Sequence, residues 1–276
     1  MIKETAASLA QNGYCLLNSF FDLESEIIPI QESIYNLTKK VAERYKLKVD
    51  VQPFHPDSFD HIYLQILLKD RKIAGEVYDL VKQLPPFLRL ICGEKSEALY
   101  CALRNTNQPG IGAGSYGIRI DNPSEKEFQS HWHQEFFYQP QSIDGLVFWT
   151  PLVDITKDLG PVQILEKSHL NDLQLYTKNV EYNFKTGAYQ YGLYKETDVV
   201  KKYQNVTPLS APGDLILMDF LTIHASGDNN SSRARWSIQY RFFNHNDKTG
   251  SDIGWKASAT LGSDVQKIFP NNFIGE

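Results

Sequence analysis

Residues 131–135 read His-Trp-His-Gln-Glu, and a lone histidine, His224, stands far downstream. On an extended strand, residues two apart share a face, so His133 and Glu135 would present an imidazole and a carboxylate side by side. His131 falls on that face too, and spacing alone does not choose between the two histidines. With a second imidazole supplied by His224, the set becomes two histidines and one carboxylate. That donor combination suits non-haem iron(II) and leaves coordination positions open. Trp132, Phe136 and Phe137 make the stretch largely apolar, which favours its polar members facing a pocket. The competing reading is a solvated His/Glu pair on an exposed strand.

His224 closes a turn and an apolar run that starts at Pro212-Gly213 and includes Leu215, Ile216, Leu217, Met218 and Phe220. A polar loop, 225–235, then leads into a last strand. There Trp236, Ile238, Tyr240 and Phe242 alternate with Arg235, Ser237, Gln239 and Arg241, the period of a strand with two unlike faces. If the aromatic face packs on helices, the polar face lines an interior. An arginine there can grip a carboxylate through its two-pronged guanidinium, which lysine does less well.

The rest of the chain has to bring these residues together. Gly13 to Phe20 reads as a short strand, and Ile27, Ile30, Ile34, Leu37 and Val41 recur at helical spacing. Residues 50–60 read as a loop, and Ile62 to Leu68 fit helix or strand equally. Ile73, Val77, Leu80, Val81 and Leu84 mark a second helix that stops at Pro85-Pro86, and a third starts at Pro86. After Pro109 the character changes to short β-type runs at 115–120, 131–138, 144–153, 161–165, 205–210, 214–220 and 235–243. Gly110, Gly112, Gly114 and Gly117 lack the spacing of a phosphate or dinucleotide loop and read as a turn. Many short strands without intervening helices argue for an antiparallel sandwich or barrel. The expected organisation is one domain, mainly β, with a helical support layer at 1–108, a β core at 109–245 and a C-terminal extension at 246–276. A tyrosine-rich insertion at 171–203 is expected to act as a lid.

Composition sets the limits. With 276 residues, 42% of them hydrophobic, the chain can bury a substantial core, and a net charge of −5 without a basic block argues against nucleic acid. No apolar run is long enough to span a membrane, and no signal peptide is visible. Cys15, Cys92 and Cys101 are an odd set without metal-type spacing, which predicts reduced thiols in a cytoplasmic protein.

Taken together, His133-Gln134-Glu135, Trp149, Gly160, Ser168-His169 and His224 with Arg235 eleven residues on resemble the phytanoyl-CoA dioxygenase family. Its members are iron(II)- and 2-oxoglutarate-dependent oxygenases. Gly13-Tyr14 ahead of a strand fits the family's opening, so the resemblance spans roughly residues 10–245 and is sharpest from 131 to 241. It implies a double-stranded β-helix, a cupin-like jelly roll. It also implies His133, Glu135 and His224 as iron ligands, with His131 left as a pocket or outer residue. Arg235, helped by Ser226, would hold the distal carboxylate of 2-oxoglutarate, with Gln134 and Trp149 close to this co-substrate and O2 as oxidant. Arg119 and Tyr138, from flanking strands, and Ser237, from Arg235's face, are added as pocket residues. The implied activity is hydroxylation, or another oxidation, of an unactivated C–H bond in a small molecule, giving succinate and CO2. The family normally carries Asp where this chain has Glu135, the same charge on a stem one methylene longer. Two rivals remain: a cupin-like metal isomerase or hydrolase, and a non-catalytic jelly-roll binding protein.

Overall fold

The apolar stripe from Ile27 to Val41 forms helix α2 (Ile28–Arg44), with Pro29 in its first turn, where a missing N–H leaves no bond unmade. It follows α1 (Ile2–Asn12) and β1 (Tyr14–Leu17), which are joined by Gly13 at φ 84. In this computed structural model, which describes residues 1–178, 190–256 and 265–274, four more helices complete the layer. They are α3 (His61–Lys69), α4 (Arg71–Leu80), α5 (Pro85–Ile91) and α6 (Glu94–Arg104). Asp70 starts α4 by accepting from the backbone N–H of Lys72 and Ile73. The ambiguous run 62–68 is therefore helical. Neither α1 nor α6 stands out in the sequence, because each buries only a thin stripe: Thr5 and Leu9 in α1, and Ser96, Leu99 and Tyr100 in α6.

The strands follow as β2 (Pro109–Ile111), β3 (Gly117–Asp121), β4 (Leu146–Pro151), β5 (Gln163–Leu165), β6 (Tyr176–Lys178), β7 (Tyr191–Leu193), β8 (Asn205–Val206), β9 (Leu215–Asp219), β10 (His224–Ala225) and β11 (Arg235–Asn244). Short helices α7 (Glu135–Tyr138), α8 (Glu196–Val200), α9 (Lys248–Asp252) and α10 (Val265–Ile268) intervene or follow. One antiparallel sheet has the order β1-β9-β4-β11-β2, with β3 also paired to β11; a second is β10-β5-β8, and β6-β7 form a ribbon. The glycine cluster connects β2 to β3, with Gly114 at φ 75 in the turn.

Strand β11 carries the alternation expected of it. Its aromatic face packs on the helical layer: Trp236 lies edge-on to Phe59 and Tyr63, Phe242 stacks on Tyr100, and the Tyr240 hydroxyl meets Ser96 Oγ at 2.8 Å. The Trp236 indole donates to the buried Asp60 carboxylate at 3.1 Å. Its other face turns to the interior.

One expectation is corrected. Residues 131–138 are not a strand. The chain makes a single bridge at His133 and then turns into α7, where the Phe136 N–H donates to Phe220 O and the Gln139 N–H to Glu135 O. The aromatics that mimic a strand pattern pack instead on one cluster, Phe137 stacking on Tyr176 at 3.7 Å and on Phe269 at 5.8 Å. The C-terminal extension reaches back to β6, where Tyr176 exchanges backbone hydrogen bonds with Asn272 and Ile274.

Trp236→Ala should destabilise the protein by about 3–5 kcal/mol in urea unfolding, since a fully buried indole leaves a cavity between the layers. A loss below about 1 kcal/mol would show that β11 does not join them.

Candidate metal centre

The site begins with a backbone bridge. The His133 N–H donates to His224 O at 3.1 Å, and the His224 N–H donates to His133 O at 3.0 Å. This pairing seats the two imidazoles with ring centroids 4.3 Å apart. Each ring is oriented by a carbonyl two residues back: His133 Nδ1 lies 2.7 Å from His131 O, and His224 Nδ1 lies 3.0 Å from Thr222 O. A carbonyl only accepts, so both Nδ1 atoms carry hydrogen, and each Nε2 is the nitrogen left to face a ligand. Glu135 Oε2 lies 3.8 Å from both Nε2 atoms. The three donor atoms lie within 4.8 Å of one another, and all three residues are buried.

Arg241 on β11 completes the cluster by donating from Nη2 to Glu135 Oε2 at 3.1 Å. Burial alone would raise the Glu135 carboxyl. The Arg241 guanidinium, then the neighbouring imidazoles of His133 and His224, outweigh it and hold the group well below the usual carboxylate range. Burial, followed by the His133 charge, pushes His224 down to about 3 against the pull of Glu135. At neutral pH His224 is therefore an uncharged imidazole beside an ionised carboxylate, the form in which these groups bind metal.

The cluster opens into a cavity of about 540 Å³ lined from both sheets. His133, Glu135, His224, Arg235, Ser226, Trp149, Arg119 and Tyr138 all line it, whereas His131, Gln134 and Ser237 do not. His131 contributes its carbonyl to the ring of His133. The Gln134 side chain points to its own supports, donating to Leu221 O at 2.8 Å and accepting from the Gln174 N–H at 2.8 Å. Ser237 is fully buried within the sheet. The described residues of 171–203 contribute no lining, although Tyr191 O accepts from the Tyr138 hydroxyl; Tyr182 and Tyr189 lie outside the described residues.

Arg235 is 1% exposed, and its Nη2 lies 2.7 Å from Asp121 Oδ2 and 3.2 Å from Ser226 Oγ. Its Nη1 donates to Gly160 O. Gly160 sits at φ 75, and a Cβ there would meet the carbonyl oxygens of Gly227 and Asp228 at 2.6 Å, so only glycine fits. Asp121 also takes Arg119, whose Nε lies 2.9 Å from each carboxylate oxygen. Sequence reasoning named the arginines but missed Asp121 and the Glu135–Arg241 contact. The polar face of β11 was the available signal for the second.

A profile of the family described as Phytanoyl-CoA dioxygenase (PhyH) matches residues 9–237. The chain belongs to this family. It is accordingly a non-haem iron and 2-oxoglutarate-dependent enzyme, and its cofactors are iron and 2-oxoglutarate. Among solved structures, the epimerase SnoN from nogalamycin biosynthesis, with Fe3+, alpha ketoglutarate and nogalamycin RO, is similar at 15% identity and TM-score 0.55, covering 91% of this chain and 88% of that one. EctD from S. alaskensis with bound Fe is similar at 17% identity and TM-score 0.55, over 87% of this chain and 76% of that one. AviO1 from Streptomyces viridochromogenes Tue57 has 12% identity and TM-score 0.55, over 90% and 96%. At these identities the likeness shows a shared fold. No curated protein matches the sequence significantly.

One pH effect follows for the metal-free protein. His224 stays uncharged in the fold, while the unfolded chain takes up a proton there below about pH 6.5. Stability is then complete above that pH and falls as the medium is acidified toward about 3. Melting temperatures in chelator should drop between pH 7 and pH 5, and His224→Leu should flatten that slope. Equal slopes in both proteins would contradict the burial of an uncharged imidazole.

Proposed function

We propose that the protein is an iron(II)- and 2-oxoglutarate-dependent oxygenase that hydroxylates, or otherwise oxidises, an unactivated C–H bond of a small molecule, with release of succinate and CO2. One observation carries this reading: His133, Glu135 and His224 converge in the wall of a cavity that also holds a buried arginine, Arg235. The two sheets that face each other across the cavity are read as the halves of a double-stranded β-helix.

The donor set fits the metal. It offers two imidazole Nε2 atoms, a carboxylate kept ionised by its neighbours, and cavity space on the open side. When bound, the metal supplies oxygen activation coupled to decarboxylation of 2-oxoglutarate. His133, Glu135 and His224 would be its ligands. Arg235 would take the distal carboxylate of 2-oxoglutarate, a guanidinium already oriented by Asp121 and Gly160 O and flanked by Ser226 Oγ. Trp149 forms cavity wall rather than hydrogen-bonding machinery, being 2% exposed on β4 between Gln239 and Ile216. Gln134 holds the metal-bearing backbone in place instead of meeting the co-substrate. Burial of all three ligands keeps bulk water from the reacting centre, and a cavity of about 540 Å³ suits a small-molecule substrate beside 2-oxoglutarate. A metal isomerase or hydrolase on the same ligands would have no use for Arg235.

His224→Ala should abolish succinate formation from 2-oxoglutarate, measured with iron(II) and ascorbate; retained turnover would remove the ligand assignment. Arg235→Met should raise the KM for 2-oxoglutarate by about 10- to 100-fold, the loss of a charge-assisted hydrogen-bond pair. An unchanged KM would move the co-substrate elsewhere.

A further inference from the structure

Glu135 does not sit on a strand, and Arg241 is placed where that matters. The backbone leaves the bridge at His133 and enters α7 at Glu135, so the carboxylate reaches back to the two imidazoles from a helical turn. The glutamate stem has more rotamers to fix than a shorter carboxylate would have. Arg241 does the fixing. Its guanidinium spans three groups: Nη2 donates to Glu135 Oε2 at 3.1 Å and to Gln239 Oε1 at 3.3 Å, and Nη1 donates to Ser115 O at 3.1 Å. Its backbone is locked too, since Arg241 O accepts from the Gly112 N–H at 3.0 Å and Arg241 pairs with Val147 across β4. The glycine turn between β2 and β3 and strand β11 thus meet the carboxylate through one planar fork.

We propose that Arg241 is the positioning residue of the carboxylate ligand, and that Glu135 and Arg241 work as a matched pair. The proposal rests on the metal-site reading above. The Arg241 hydrogen bond is made to Oε2, the oxygen that also lies 3.8 Å from both imidazole Nε2 atoms, so the guanidinium fixes the part of the carboxylate nearest the other two ligands. An aspartate at 135, one methylene shorter, falls short of Arg241 and gains nothing from it.

The test is anaerobic titration of the full chain with Co(II), reading affinity and the d–d absorption of the bound ion, in a double-mutant cycle of Glu135→Asp and Arg241→Ala. Arg241→Ala should weaken Co(II) binding by about 10- to 100-fold and alter the d–d bands. Arg241→Lys should restore part of the affinity. In the Glu135→Asp background the same Arg241→Ala change should cost no more than about threefold, because the partner is already out of reach. Circular dichroism melts identify variants that are merely unfolded, and the lysine variant then carries the comparison. Wild-type affinity in Arg241→Ala, tighter binding there, or an equal loss in both backgrounds would overturn the proposal. Failure of the wild-type protein to bind Co(II) at all would instead overturn the metal-site reading itself, and this proposal with it.

Discussion

The reciprocal backbone bridge between His133 and His224 is the constraint on which the site depends. Two hydrogen bonds of 3.1 and 3.0 Å set the spacing of two imidazoles that are remote in sequence. Everything near it serves to keep that pair closed. The Ser226 N–H donates to Ser130 O at 2.9 Å, extending the contact by one step. His224 pairs on its other side with Ile164 of β5, and Gln134 clamps the exit of the His133–Glu135 segment through Leu221 and Gln174. Ser168 Oγ accepts from the Ile223 N–H at 2.8 Å, holding the residue just before His224. The fold spends two sheets and a helical layer on fixing a handful of torsions, which is how preorganised sites avoid reordering on binding.

Charge is arranged around this bridge in alternation. Glu135 is shared by two imidazoles and Arg241, and Asp121 is shared by Arg119 and Arg235. Buried charges are tolerable only when paired and hydrogen-bonded, because the interior otherwise strips them of solvation at a cost of several kcal/mol each. Asp121 shows the balance: burial would raise its carboxyl, and Arg119 followed by Arg235 more than offset this and hold it low. The two carboxylates stand on different elements, but both answer to arginines of β11. That single strand therefore presents aromatic side chains to the helices and the charged side chains to the cavity.

Much of this was legible in the sequence, for reasons that particular residues make clear. The period-two alternation of Arg235 to Phe242 survives in the structure because β11 is paired on both sides and has unlike surroundings on its two faces, which is when register is most strongly encoded. The convergence of His133, Glu135 and His224 was legible as a combination of residue types. The geometry behind it was not. A strand over 131–138 gave the correct neighbours from an incorrect local structure, since α7 is set by long-range bonds such as that of Phe136 to Phe220 O, which no local pattern records. The role of Gln134 was obscured likewise, because its partners at Leu221 and Gln174 come from distant loops. Asp121 escaped notice as one acid among many; only its place between two arginines marks it.

The central claim is that the three ligands and Arg235 together hold iron(II) and 2-oxoglutarate in one cavity. Anaerobic addition of iron(II) and then 2-oxoglutarate tests it without knowledge of the substrate. Bidentate chelation of 2-oxoglutarate at a metal held by two histidines and a carboxylate gives a visible metal-to-ligand charge-transfer band. The band should appear only when both are present and should saturate at one equivalent of each. A spectrum that stays featureless at saturating concentrations of both would contradict the claim.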